Sequence, residues 1–127
     1  MFFTIDFSND LAIYDQIIRQ VKFAVAGGVL KVGEMVPSVR DLARELTLNP
    51  NTVARAYRQL QADSVLVPLR GMGLVVAEGS PQRCEKERQE LIRARVQQVL
   101  AEAKHSGLKP DEIFALVRAE WKALEQK

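Results

Sequence analysis

Apolar residues recur at helical spacing near the start of the chain. Ile13, the pair Ile17-Ile18, Val21 and the pair Ala24-Val25 share one stripe, which predicts an amphipathic helix from Leu11 to Ala26. Gly27-Gly28 ends it, because glycine takes a left-handed cap without strain. Residues 29–33 read as a connector and Glu34-Met35-Val36 as a short strand. Pro37-Ser38 opens a second helix, with Ser38 as N-cap and Asp41 at the third helical position. Its apolar stripe is Val39, Leu42, Ala43 and Leu46. After a tight turn at Thr47-Leu48-Asn49, Asn49 suits an N-cap and Pro50 a first helical position. A third helix is therefore predicted from about Pro50 to Ala62.

The period then shortens. Val65 to Leu69 and Leu74 to Ala77 are β-rich runs, and Arg70-Gly71-Met72-Gly73 between them allows a tight reversal. Pro68 marks an edge strand or a distorted pair. Two helices across a three-residue turn, followed by a hairpin, are a helix-turn-helix with a wing. Glu78-Gly79-Ser80-Pro81 reads as a hinge, followed by a long helix from Gln82 to about Ser106 that Gly107 caps. Pro110-Asp111-Glu112 opens a last helix with proline first and acids in its first turn, as the helix dipole favours. The pattern predicts an α+β fold: a winged helix-turn-helix over residues 1–78, a hinge at 79–81 and a helical hairpin over 82–127.

The hairpin carries more apolar surface than two helices can bury between themselves. Ile92, Val96, Val99 and Leu100 on the long helix, with Phe114, Val117 and Trp121 on the last, are expected to pack against a second copy of the chain. Two helices are also expected to leave little room for a ligand cavity of about 300 Å³ or more; no effector is identifiable.

The third helix carries the chemistry. At 100° per residue, Val53, Ala56, Tyr57 and Leu60 face the core. Asn51, Arg55 and Arg58 point nearly the opposite way, with Thr52 and Gln59 on one flank. Amide side chains can bond adenine edges, arginine can bond guanine, and a threonine methyl can touch thymine. Free N–H groups at the helix start also suit a phosphate. Arg40 and Arg44 on the second helix and Arg70 at the wing tip add charge to the same region, diluted by Asp41, Glu45 and Asp63. Net charge does not decide the matter. It is +2 for the 127 residues, zero over residues 1–80 and +2 over the remainder. A nucleic-acid reading therefore rests on where the charges sit.

Joined together, these segments resemble a known family. Pro37-Ser38-Val39-Arg40-Asp41-Leu42-Ala43, then Leu46, then Asn49-Pro50-Asn51-Thr52-Val53, Ala56-Tyr57 and Leu60, then Arg70-Gly71-Met72-Gly73, resemble the GntR winged-helix DNA-binding domain. Tyr14-Asp15-Gln16-Ile17 looks like its first helix. The form of the Asn-Pro-Asn-Thr-Val segment and the short helical tail resemble the YtrA subfamily. The resemblance implies a homodimeric transcription factor, commonly a repressor, bound to double-stranded operator DNA. It places Ser38 and Arg40 in the family's DNA-contacting Pro-Ser-x-Arg motif, Thr52 on the recognition helix, and Arg70 and Gly71 at the wing tip. Asn49, Asn51, Arg55 and Arg58 are assigned to DNA from the helical wheel alone. Pro50 and Ala54 stand where many members carry arginine, Ala12-Ile13 replace a proline-led entry to the first helix, and Asp63-Ser64 replace a common acid-glycine pair.

Composition narrows the alternatives. Hydrophobic residues are 47% and charged residues 27%, as in ordinary globular domains. One cysteine and one histidine exclude an internal disulfide and a Cys/His zinc cluster within one chain, and provide no catalytic triad. Cys84 is expected to be an inert surface thiol, and His105 to sit in the last turn of the long helix as a favoured cation. Gly71-x-Gly73 opens no helix, so it is not a dinucleotide loop. No apolar run approaches the length of a membrane span and no signal peptide is evident. The expectation is a cytoplasmic, cofactor-free, metal-free DNA-binding regulator without enzymatic activity. The competing expectation is a winged helix used for protein–protein contact, with DNA binding weak or lost.

Overall fold

A computed structural model describes residues 3–8 and 11–126. Met1, Phe2, Asn9, Asp10 and Lys127, which the expected segments 1–78 and 82–127 include, lie outside the described residues. Helix α1 (Ile13–Ala26) starts two residues later than its apolar stripe predicts, because Ala12 is extended, with ψ at 147°. Gly28 takes the left-handed conformation after it, with φ at 78°. Two glutamines on α1 tie the preceding segment down. Gln16 accepts from the Asp6 N–H and donates to the Asp6 and Leu11 carbonyls, each at 2.9 Å. Gln20 accepts from the Thr4 N–H at 2.8 Å. Phe3 is thereby held in the core.

Helix α2 (Val39–Leu46) and helix α3 (Pro50–Ala62) begin where their capping residues predict. The turn between them places Thr47 at φ 55°, and the turn after α3 places Ser64 at φ 60°. Ser64 thus adopts the left-handed geometry for which glycine is the usual choice. Strands β1 (Leu66–Leu69) and β2 (Gly73–Val76) pair antiparallel, with Leu66 opposite Val76 and Leu69 opposite Gly73. The expected strand at Glu34-Met35-Val36 shrinks to a single bridge between Met35 and Val75 on the other side of β2. Pro68 accordingly lies on the outer strand, where its missing N–H costs no ladder bond.

The core gathers Ile17 and Val21 of α1, Leu42 of α2, Val53 and Leu60 of α3, and Leu66 of β1, all fully buried. Helix α4 (Ser80–His105) starts inside the expected hinge. Ser80 is fully buried, and its hydroxyl reaches the carbonyls of Ser64 at 3.2 Å and Val65 at 3.1 Å. One turn later Cys84 is also fully buried, which corrects its expected place on the surface. Burial pushes its thiol pKa up, away from thiolate reactivity. The first turns of α4 therefore belong to the N-terminal unit, which runs to Arg88, rather than to the hairpin.

The second compact unit, Gln89–Lys127, holds the rest of α4 and helix α5 (Pro110–Glu125). Gly107, at φ 93°, ends α4 as expected. The Lys109 N–H donates to Glu112 Oε1 at 3.0 Å, securing the start of α5. Among its described residues α5 buries no side chain within this chain.

Candidate nucleic-acid interface

The core face of α3 is the one its sequence predicts: Val53, Ala56, Tyr57 and Leu60 are all buried. Tyr57 fixes the angle between α3 and the entry to α2, donating from its hydroxyl to the Pro37 carbonyl at 2.7 Å. Burial raises the Tyr57 pKa, so the phenol stays protonated and able to donate. The opposite face is exposed and carries Asn51, Arg55 and Arg58, while Thr52 is half-buried on the flank.

Two predicted contact residues have structural duties as well. Ser38 Oγ accepts from the Asp41 N–H at 3.1 Å, and Asn49 Oδ1 accepts from the Asn51 N–H at 2.8 Å. These capping bonds use oxygen acceptors and leave the Ser38 hydroxyl proton and the Asn49 amide hydrogens as donors. The free N–H groups expected at the start of α3 are not free. Asn51 is capped, and the Thr52 and Val53 N–H groups donate to the Asn49 carbonyl at 3.0 and 3.4 Å.

Arg40 and Arg44 line a shallow groove of about 580 Å³ together with Pro50, so they lie beside the start of α3. Arg70 is exposed at the wing tip, where Gly71 at φ 81° and Gly73 at φ 96° make the reversal. Among the described residues, Arg40, Arg44, Arg58 and Arg70 form no salt bridge, which leaves their charges uncompensated by close acids.

Arg55 is exposed, as expected, and also meets an aromatic ring. Its guanidinium carbon sits 4.7 Å from the centroid of the Tyr14 ring on α1. The Tyr14 hydroxyl lies 3.4 Å from Gln59 Oε1, and Gln59 Nε2 donates to Asp63 Oδ1 at 3.0 Å. Lys22, buried on α1, donates to Asp63 and to Glu87 of α4, each at 2.8 Å. Burial pulls the Lys22 pKa down, but its bonds to the two carboxylates outweigh that and hold it above its ordinary value. Sequence reasoning assigned Tyr14 no role beyond its place in the family's first-helix segment and did not single out Lys22, because each acts across the junction between helices. The one available signal for Lys22 was a cation interrupting the apolar stripe of α1.

Comparison with known proteins agrees with this geometry. The family profile described as "Bacterial regulatory proteins, gntR family" matches residues 13–76. The HTH-type transcriptional repressor YtrA of Bacillus subtilis is 31% identical over 90% of this chain and 88% of its own length. A GntR family transcriptional regulator from Listeria monocytogenes superposes with a TM-score of 0.72 at 26% identity, covering 89% of this chain and 98% of that one. YtrA from Sulfolobus acidocaldarius, a GntR-family transcription factor, gives a TM-score of 0.59 at 30% identity, covering 80% of this chain and 99% of that one.

Proposed function

Because this chain belongs to the GntR family of bacterial regulatory proteins, in its YtrA-like branch, and is a DNA-binding transcriptional regulator, we propose that it acts as a cytoplasmic homodimeric repressor at a duplex operator. The exposed face of α3 enters the major groove, where Asn51, Thr52, Arg55 and Arg58 read base edges. Ser38, Arg40 and Asn49 hold the groove edge, and Arg70 with Gly71 reaches the adjacent backbone or minor groove. Repression is the activity named for the Bacillus relative, and its sign is carried over from there.

One observation supports the dimer above the others. The hairpin residues expected at the interface are all exposed in the single chain, with Trp121 64%, Val99 63% and Phe114 58% accessible. An apolar groove of about 540 Å³ lies among them, lined by Leu100, Leu108, Ile113 and Phe114. It exceeds the little room expected of two helices. Apolar surface of this extent is unfavourable in water and is removed by a two-fold mate.

The experiment is a gel shift of the purified chain on its own upstream DNA, competed with unrelated duplex, across a salt series. A competitor-resistant shift is expected. Its affinity should fall about 10³–10⁵-fold between about 50 and about 200 mM salt, as for six to ten neutralised phosphates. Binding with no preference for the upstream DNA, or with little salt dependence, rejects the operator reading.

A further inference from the structure

Tyr14 lies in the first turn of α1 and Arg55 sits on the exposed face of α3. They meet with the guanidinium carbon 4.7 Å from the ring centroid, inside the range of a cation–π contact. We propose that Tyr14 is a specificity-determining positioning residue for DNA: it holds the flat face of the Arg55 guanidinium and so presents the N–H edge to a base. The proposal rests on the reading of α3 as the base-reading helix.

The chemistry of the contact suits that role. Stacking occupies the face of the guanidinium, whereas a bidentate bond to guanine O6 and N7 uses only its edge. Both can be made at once. Among the described residues the Arg55 side chain forms no hydrogen bond or salt bridge, so its in-plane donors are unspent. A carboxylate in the place of Tyr14 would also orient the arginine, but it would cancel the positive charge that draws the helix to DNA. The aromatic ring orients without neutralising.

Tyr14 is itself held in place. The ring packs against the core cluster, and its hydroxyl points to Gln59 on the flank of α3. Gln59 in turn donates to Asp63, which the buried Lys22 anchors. Packing against the core seats the ring, and the hydroxyl contact, long at 3.4 Å, is secondary, so the platform under Arg55 survives loss of the hydroxyl. A long arginine side chain without such a platform spreads over many rotamers, and edge-on discrimination between bases is blunted accordingly.

The test is competition binding of the full chain against single-base variants of the upstream duplex it binds. Four variants are compared with the parent: Arg55→Ala, Tyr14→Leu, Tyr14→Phe and the double variant of Arg55→Ala with Tyr14→Leu. Arg55→Ala should flatten preference at one base pair per half-site. Tyr14→Leu should reduce discrimination at that same base pair about two- to fivefold, as loss of an exposed cation–π contact implies, with affinity for unrelated DNA unchanged. Tyr14→Phe, which keeps the ring, should retain the parent's preference. The double variant should be no worse than Arg55→Ala, because Tyr14 acts only through Arg55.

The proposal is overturned if Tyr14→Leu keeps full discrimination at the Arg55 base pair, or if it weakens all duplexes equally. It is equally overturned if Tyr14→Phe flattens the preference, since the hydroxyl would then be the active part. If Tyr14→Leu does not fold, Tyr14→Met, which keeps an apolar side chain without a ring, takes its place: the same loss of discrimination is expected, and full discrimination overturns the proposal. If Arg55→Ala leaves every preference intact, the base-reading role of Arg55 fails first, and the Tyr14 proposal falls with it.

Discussion

Tyr57 shows how one polar atom on a core face can set the geometry of the whole motif. Its ring lies among the buried residues of α3, and its hydroxyl meets the Pro37 carbonyl at 2.7 Å. That carbonyl immediately precedes the N-cap of α2, so the bond fixes the entry of one helix against the side of the next. Tyr57→Phe keeps the ring and removes the donor. It should destabilise the chain by about 1–3 kcal/mol, the cost of leaving a shielded carbonyl without its partner. Alkaline pH provides a second readout. Burial raises the folded-state pKa of Tyr57, so above the unfolded value of about 10 the folded state still holds a proton that the unfolded chain has lost. Stability from this group is complete below that value and is lost as pH rises through the folded pKa. Denaturation midpoints followed from pH 9 upward should fall less steeply for Tyr57→Phe than for the parent; equal slopes would reject this role.

At the scale of elements, the junction of α1, α3 and α4 is held by a cation where an apolar residue would be the ordinary choice. Lys22 is 5% exposed, while the side chains of Asp63 and Glu87 are 33% and 42% exposed. This asymmetry decides which substitution costs more. Lys22→Met leaves two carboxylates that water can still reach, and fills the site with a side chain of similar length. A cost of about 1 kcal/mol or less is expected, since replacing a buried ion by a packed apolar group is often close to neutral. Asp63→Asn combined with Glu87→Gln instead strands a buried ammonium, with an expected cost of about 2–4 kcal/mol, toward the range for broken buried pairs. Urea denaturation of both variants checks the order, and the reverse ranking would show that the carboxylates, not the lysine, suffer the larger loss. Ser80 and Arg83 add bonds from the start of α4 to the Ser64 carbonyl, so the end of α3 is gripped from two neighbouring helices.

For the whole molecule, the place where the chain divides matters to any truncation. The composition break at residues 79–81 invites a cut there, yet Ser80 and Cys84 are fully buried and Glu87 pairs with Lys22. A chain ending at Arg88 keeps all of these and should remain folded while becoming monomeric by light scattering. A chain ending at Ser80 loses the Cys84 side chain from the core and should melt at a markedly lower temperature. A dimeric chain after removal of residues 89–127 would place the interface elsewhere and overturn the assignment of Ile92, Val96, Val99, Leu100, Phe114, Val117 and Trp121.

How much was legible follows from the range of the forces involved. Sequence alone determined the capping of α2 by Ser38 and of α3 by Asn49, the buried face Val53, Ala56, Tyr57 and Leu60, and the wing reversal at Gly71. These depend on bonds and periodicities spanning a few residues, which a linear pattern records. The motif segments from Pro37 to Gly73 also carried enough joint information to identify the family. What the sequence could not hold was the meeting of distant helices. It placed Arg55 among exposed groups but not over Tyr14, and it put Cys84 on the surface and a hinge at Ser80. Glycine and proline near residue 80 are the usual marks of a linker, and only the carbonyls of Ser64 and Val65 and the apolar space around Cys84 turn that stretch into packed helix. Lys22 is the sharpest case, because a lysine is ordinarily a surface residue. Only the convergence of Asp63 and Glu87 from two other helices, bringing two charges within 2.8 Å, makes its burial favourable.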